Sequence, residues 1–212
     1  KAIEINPEFE DAHNNIGNVY KQLKEIQKSI FHYNQVLKIN PNNHQAWNNL
    51  GVTLKDLGKY KEAIENYKNA IRINKEYIEA YYNLSIIYSE LRNYKKAIHF
   101  YNKALQINPT NSIIHYNLGI IFTDLKKYYD AIYCFEKSIN INPNFAESFF
   151  SLGNVYFDLG DIEKSIFYFK KSLKINTNYL DVINNLGISY KDIGEYKKSI
   201  NCFKKIIKIN PN

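Results

Sequence analysis

Residues Ala46 to Lys75 read AWNNLGVTLKDLGKYKEAIENYKNAIRINK, and their apolar positions follow a helical period twice over. Trp47, Leu50 and Leu54 fall at i, i+3 and i+7; after Gly58 a second set, Tyr60, Ala63, Ile64, Tyr67, Ala70 and Ile71, recurs at intervals of three and four. Two amphipathic helices, A and B, are therefore expected on either side of Gly58. The unit repeats. An INP tripeptide closes it, placing Pro7, Pro41, Pro109, Pro143 and Pro211 in a series with Lys75 and Thr177, spaced by 34 residues without insertion or deletion.

With the proline slot numbered position 32, the chain divides into residues 1–9, the end of a preceding repeat, and six repeats at 10–43, 44–77, 78–111, 112–145, 146–179 and 180–212. Lys1 to Pro7 matches positions 26–32 of a unit whose earlier part is missing, and no polar capping helix follows the sixth repeat, so the parent protein is expected to continue at both ends. Trp47, Leu50, Gly51, Leu54, Ala63 and Tyr67 resemble the tetratricopeptide signature W-x2-L-G-x2-Y followed by A-x3-F, with one leucine for tyrosine and one tyrosine for phenylalanine. The resemblance covers nearly the whole chain. It implies an all-α fold, a right-handed α-solenoid of six tandem helix-turn-helix repeats, with helix A lining a concave groove and helix B facing outward.

Small residues carry the local detail. Gly58, Gly160 and Gly194 occupy the turn between A and B, where left-handed backbone suits glycine; Lys24, Arg92 and Lys126 fill that slot elsewhere, so the turn must tolerate a side chain. Gly17, Gly51, Gly119, Gly153 and Gly187 sit mid-helix at position 8, each costing about 1 kcal/mol relative to alanine. Close packing of A on B is the expected reason, with Ser85 as the small exception. Asn42 with Gln45, Asn144 with Glu147 and Asn178 with Asp181 read as N-caps with a partner three residues on. Aromatic residues at position 24 (Tyr33, Tyr67, Tyr101, Phe135, Phe169, Phe203) read as core. Trp47, Tyr81, Phe149, His13 and His115 at position 4 read as seam packing, with no second ligand at metal-binding spacing.

Several function classes drop out. No apolar run approaches the ~18 residues of a membrane helix, and the first residues form neither a signal nor a transit peptide. Cys134 and Cys202 lie two repeats apart, beyond disulfide reach, so free thiols in a reducing compartment are expected, hence an intracellular, cytoplasmic or nucleocytoplasmic protein. Without a phosphate-cradling loop, a nucleophile elbow or a paired ligand cluster, the segment reads as non-enzymatic, with no cofactor.

What remains is a surface divided by charge. The six A helices hold ten acidic residues against three lysines, although the whole chain is +7. An acidic inner face and a basic outer one follow. Two rows run along the inner face: Asn15, Asn49, Asn83, Asn117, Ser151 and Asn185 at position 6, and Gln22, Asp56, Glu90, Asp124, Asp158 and Asp192 at position 13. The acids read either as an ordinary solvated face or as a site. Asparagine offers a donor and an acceptor, so the position-6 row could pair with the backbone of any extended peptide; the alternative is that asparagine is simply common in this chain. Tyr82, Tyr116 and Phe150 at position 5, with Ile86, Ile120 and Phe157 nearby, read either as interface anchors or as extra packing.

The asparagine row resembles the tetratricopeptide region of nucleocytoplasmic O-linked N-acetylglucosamine transferases, where asparagine at position 6 and nearby aspartate hold protein substrates; Ser151 and Gln22 depart from that pattern. The carboxylate clamp of chaperone adaptors needs lysine at position 5 and basic residues at positions 2 and 6, but position 5 here is Asn14, Asn48, Tyr82, Tyr116, Phe150 and Asn184. An acidic heat-shock C-terminal tail is therefore not expected. The outer lysines are interspersed over many helices without an arginine-rich segment, and solubility accounts for them better than nucleic acid does. The expected partner is a protein, through an extended neutral or basic segment, with no membrane insertion. Uncapped ends leave end-to-end self-association open.

Overall fold

The computed structural model describes residues 9–210; apart from Phe9, the expected tail of a preceding repeat lies outside that range, as does Pro211. Twelve helices fill it. They come in pairs: α1 (Glu10–Gln22) and α2 (Ile26–Ile39), α3 (His44–Asp56) and α4 (Tyr60–Ile73), α5 (Ile78–Glu90) and α6 (Tyr94–Ile107), α7 (Ser112–Asp124) and α8 (Tyr128–Ile141), α9 (Ala146–Asp158) and α10 (Ile162–Ile175), α11 (Leu180–Asp192) and α12 (Tyr196–Ile209). Odd numbers are A helices and even numbers B helices. No described residue is in a strand, so the fold class is the all-α solenoid of six helix-turn-helix repeats. None of the described helices is long and apolar enough to cross a membrane.

The chain forms two compact units that divide after Pro109, each holding three repeats. Within a unit every A helix packs on the B helix of its own repeat, and that B helix packs on the next A helix. Successive A helices also touch, α1 on α3 and α3 on α5 in the first unit, α7 on α9 and α9 on α11 in the second. No comparable B-to-B contact occurs among the described residues, so the A helices form the tighter side of each unit.

Close packing of A on B has the cause expected from the glycines. A Cβ built on Gly51 would lie 2.7 Å from Cε1 of Tyr67, and one on Gly119 would lie 2.5 Å from Cε1 of Phe135. The aromatic ring at position 24 occupies the space a side chain at position 8 would need. Tyr33, Tyr67, Phe135 and Phe169 are fully buried there. Ser85 fits by turning its hydroxyl back to the Tyr81 carbonyl at 2.7 Å. The A-to-B turn is left-handed throughout: φ is +74° at Gly58 and +79° at Gly160, and Lys24, Arg92 and Lys126 adopt 60°, 55° and 56°.

The helix starts require a correction. Asn42, Asn144 and Asn178 are not N-caps; α3, α9 and α11 begin one residue later than that reading needs, with Asn43, Phe145 and Tyr179 at the cap. The Asn43 side chain accepts from the Ala46 N–H at 2.8 Å. Asn42, Asn144 and Asn178 instead donate their backbone N–H to the side chains of Asn40, Asn142 and Asn176 at 3.0, 3.1 and 3.2 Å. The asparagine at position 31 thus closes a local turn ahead of α3, α9 and α11.

A further repeating contact escaped the sequence reading. Lys28, Lys96, Lys164 and Lys198 stand over the rings of Tyr20, Tyr88, Tyr156 and Tyr190, with Nζ between 5.0 and 5.6 Å from the centroid. In the two repeats with Leu54 or Phe122 in place of that tyrosine, the lysine slot holds Glu62 or Asp130. A share of the outer lysines therefore caps aromatic rings of its own repeat.

Candidate functional site

Positions 5, 6, 9, 12 and 13 of an A helix lie on one side of the helix, and there the expected site residues are found. In the first unit Asn15 is exposed and Asn49 and Asn83 are half-buried. Asn49 Nδ2 donates to Asn14 Oδ1 at 3.2 Å, with Asn18 Oδ1 at 3.5 Å, and Asn83 Nδ2 donates to Asn48 Oδ1 at 3.0 Å. In the second unit Asn185 Nδ2 donates to Asn154 Oδ1 at 2.9 Å and Asn185 Oδ1 accepts from Asn184 at 3.3 Å. Asn117 is half-buried and already engaged in an interaction of its own.

Asn49, Asn83 and Asn185 of the position-6 row are therefore clasps between successive A helices within their units. For Asn49, Asn83 and Asn185 one amide hydrogen is committed to the preceding repeat. What Asn49 and Asn83 still present is Oδ1, which accepts no hydrogen bond among the described residues and is reached by solvent. A carbonyl oxygen held this way is an acceptor whose orientation is set before any ligand arrives.

The acidic row differs between the units. Asp56 Oδ2 lies 3.5 Å from Lys21 Nζ, and Glu90 Oε1 lies 2.7 Å from Lys55 Nζ. In each case lysine at position 12 of one A helix reaches the acid at position 13 of the next. Asp158 and Asp192 have no such lysine, because Thr123 and Phe157 stand at position 12 before them; both carboxylates are exposed and make no ion pair among the described residues. Asp124 is exposed and has an interaction of its own.

The position-5 aromatics pack first and face solvent second. Tyr82, in the first unit, meets Tyr101 edge-on with ring centroids 6.0 Å apart. In the second unit Tyr116 rests against Phe135 at 5.9 Å and Phe145 at 5.0 Å, and Phe150 against Phe169 at 5.9 Å and Tyr179 at 5.2 Å. All three remain half-buried. Burial pushes the Tyr179 phenol above its ordinary value, with Glu147 adding to the effect. Ile120 is exposed, while Ile86 and Phe157 are half-buried.

The other polar candidates are structural. His13 is buried, with Nδ1 2.9 Å from Nδ1 of His32, whose pKa burial and the neighbouring His13 hold below the ordinary value. No group of three or more His, Cys, Asp or Glu that could hold a metal ion occurs among the described residues. Cys134 is a buried free thiol pushed by burial up to about 12, and Cys202 is a half-buried free thiol. Sequence reasoning missed the partners of the two rows, Asn18 and Asn154 at position 9 and Lys21 and Lys55 at position 12. The signal was a pairing 31 or 35 residues apart, three short of or one beyond the repeat period.

Glycine at position 8 under an aromatic at position 24, a left-handed turn between the two helices, and stacking of successive pairs within each unit define a helix-turn-helix repeat protein. The chain belongs to the tetratricopeptide repeat family: that family's profile matches residues 43–110, and also 10–43, 112–145, 146–179 and 181–212. No curated protein sequence matches significantly. Among solved structures, the chain is similar to the crystal structure of MamA, with 30% identity over 76% of this chain and 95% of that one and a TM-score of 0.71. It is also similar to PilF of Pseudomonas aeruginosa, 19% identical over 96% of this chain and 92% of the other, with a TM-score of 0.82. YrrB, a TPR protein described as having an unusual peptide-binding site, is 21% identical over 85% of this chain and 93% of its own, with a TM-score of 0.68. At such identities the last two likenesses concern the fold alone.

Proposed function

We propose that the chain is a protein-interaction scaffold that holds an extended neutral or basic segment of a partner protein on the A-helix faces of its repeats. The observation that carries this reading is the row of clasped asparagines, which leaves Asn49 and Asn83 Oδ1 accessible on successive repeats. Oriented acceptors at repeat spacing suit the N–H groups of an extended backbone, whatever its side chains. A net ~0.5–1.5 kcal/mol per hydrogen bond, set against roughly 2–5 kcal/mol for ordering a flexible ligand, gives adaptable binding of moderate affinity. The half-buried aromatics and the uneven charge of the A faces supply selectivity. The family supports protein as the occupant, and the peptide-binding site named for YrrB supports a peptide. This segment carries no catalytic role in the proposal.

The test is an array of short peptides of neutral, basic and acidic composition, followed by solution titration of the best binder. Asn49→Ala with Asn83→Ala, on a protein whose helical circular dichroism is unchanged, is expected to weaken capture several-fold. Unchanged affinity in the folded variant refutes the reading.

A further inference from the structure

We infer that the second unit has a specificity of its own: its A-helix face takes a segment in which a short aliphatic side chain is flanked by lysine or arginine. The inference rests on the peptide-binding reading above and assigns a ligand chemistry to one part of that face. Its starting point is a small hollow of about 80 Å³ lined by Phe157, Asn185 and Ile188. Asn185 is fixed there by its bond to Asn154, so the floor is a clasp already made. A water molecule's share of liquid volume is about 30 Å³, so the hollow has room for a small branched aliphatic group.

Each of the two helices that line the hollow carries an aspartate next to a lining residue in sequence or one turn from it. Asp158 follows Phe157 on α9, and Asp192 lies one turn beyond Ile188 on α11. Their counterparts in the first unit, Asp56 and Glu90, are neutralised by Lys21 and Lys55. In the second unit threonine and phenylalanine stand where those lysines would be, and the same substitution that removes the lysine before Asp192 supplies Phe157 to the hollow. Position 12 therefore sets two properties together, leaving a carboxylate unpaired and adding an apolar contact.

Charge complementarity identifies the occupant. Over α7, α9 and α11 there are five carboxylates, Asp124, Glu147, Asp158, Asp181 and Asp192, against Lys191 alone. An aliphatic segment without cations would leave Asp158 and Asp192 uncompensated beside it, and an acidic segment would be repelled. A segment with basic residues on either side of a leucine or valine satisfies both the hollow and its rim.

The experiment uses three labelled peptides that share a glycine-serine frame: Arg-Leu-Arg, Gln-Leu-Gln and Arg-Ser-Arg at the centre. The full chain is expected to bind the first best, with loss on either change, and preference over the glutamine peptide should shrink as salt is raised. Asp158→Asn with Asp192→Asn, both at exposed positions, should reduce the arginine-leucine affinity about fivefold, two surface pairs being worth up to ~1 kcal/mol each. Thr123→Lys with Phe157→Lys, which restores the first unit's pairing, should abolish the preference without unfolding the chain. Equal binding of all three peptides, sensitive to Asn49→Ala with Asn83→Ala, overturns the specificity while leaving the scaffold reading intact. Absence of binding by any peptide removes both. If the arginine-leucine preference survives the aspartate substitutions, the assignment to this hollow is wrong.

Discussion

Asn83 donates its side-chain N–H to Asn48 Oδ1 at 3.0 Å, across the seam between two successive A helices. Asn48 is only 5% exposed, so the bond lies at the inner edge of the face and not on its rim. The pair should couple energetically. Asn83→Ala is expected to cost about 1–3 kcal/mol of stability, because it leaves the buried Asn48 Oδ1 without its donor, and loss of the hydrogen bond in Asn48→Ala costs less, because the half-buried Asn83 amide can turn to solvent. A double-mutant cycle by chemical denaturation checks this; a coupling near zero means the contact is incidental.

Gly51 lies against Tyr67 closely enough that Gly51→Ala must displace a buried ring. Overpacking costs about 1–3 kcal/mol and the gain in helix propensity returns about 1 kcal/mol, so net destabilisation of roughly 1 kcal/mol is expected. Tyr67→Phe goes the other way. The Tyr67 hydroxyl is buried without a partner, the corresponding residues of the second unit are phenylalanine, and removal of the hydroxyl should leave stability equal or higher by up to ~1 kcal/mol. Thermal unfolding of the two variants distinguishes these signs.

Much of this was legible in sequence, for a reason that residues such as Gly51 and Tyr67 make plain. A pattern repeated every 34 residues shows which positions the fold requires, and the position-8 glycines pointed correctly to tight A-on-B packing. The helix starts were misplaced by one residue because Asn40, Asn42 and Asn43 offer three capping candidates within four positions, and only the backbone decides which faces the helix. The clasps were hidden for another reason. Asn185 finds Asn154 at position 9 while Asn83 finds Asn48 at position 5, so no single spacing describes the row. Lys21 and Lys55 meet Asp56 and Glu90 one residue beyond the repeat period, a relation that exists only between adjacent A helices and not within one repeat.

Lys24, Arg92 and Lys126 hold left-handed backbone that glycine adopts at no steric cost. Replacing each by glycine should stabilise the chain by about 0.5–1 kcal/mol, the relief of a strained conformation exceeding the added freedom of the unfolded chain. Gly58→Ala should destabilise by a similar amount, although its Cβ would meet nothing within 4 Å. Equal effects in both directions, measured by urea titration, isolate backbone conformation from packing.

Burial keeps the Cys134 thiol protonated, raising its pKa from an ordinary 9.0 to about 12. A group whose folded pKa is raised contributes stability that is fully present below the unfolded value and lost as pH rises through the folded one. Between about pH 9 and pH 12, therefore, stability should fall with pH, and Cys134→Ala should flatten that dependence. Native Cys134 should also resist alkylation at pH 8 until the chain unfolds.

The peptide-binding face is tested most directly by residue-resolved NMR of the isotopically labelled chain during titration with the best peptide from the array. The account predicts shift changes clustered on the A helices, with the side-chain amides of Asn49, Asn83 and Asn185 among the resonances that move, and B-helix surfaces around Lys68 and Lys103 unaffected. Changes confined to the B helices or the repeat turns, with those asparagine amides stationary at saturation, would contradict it.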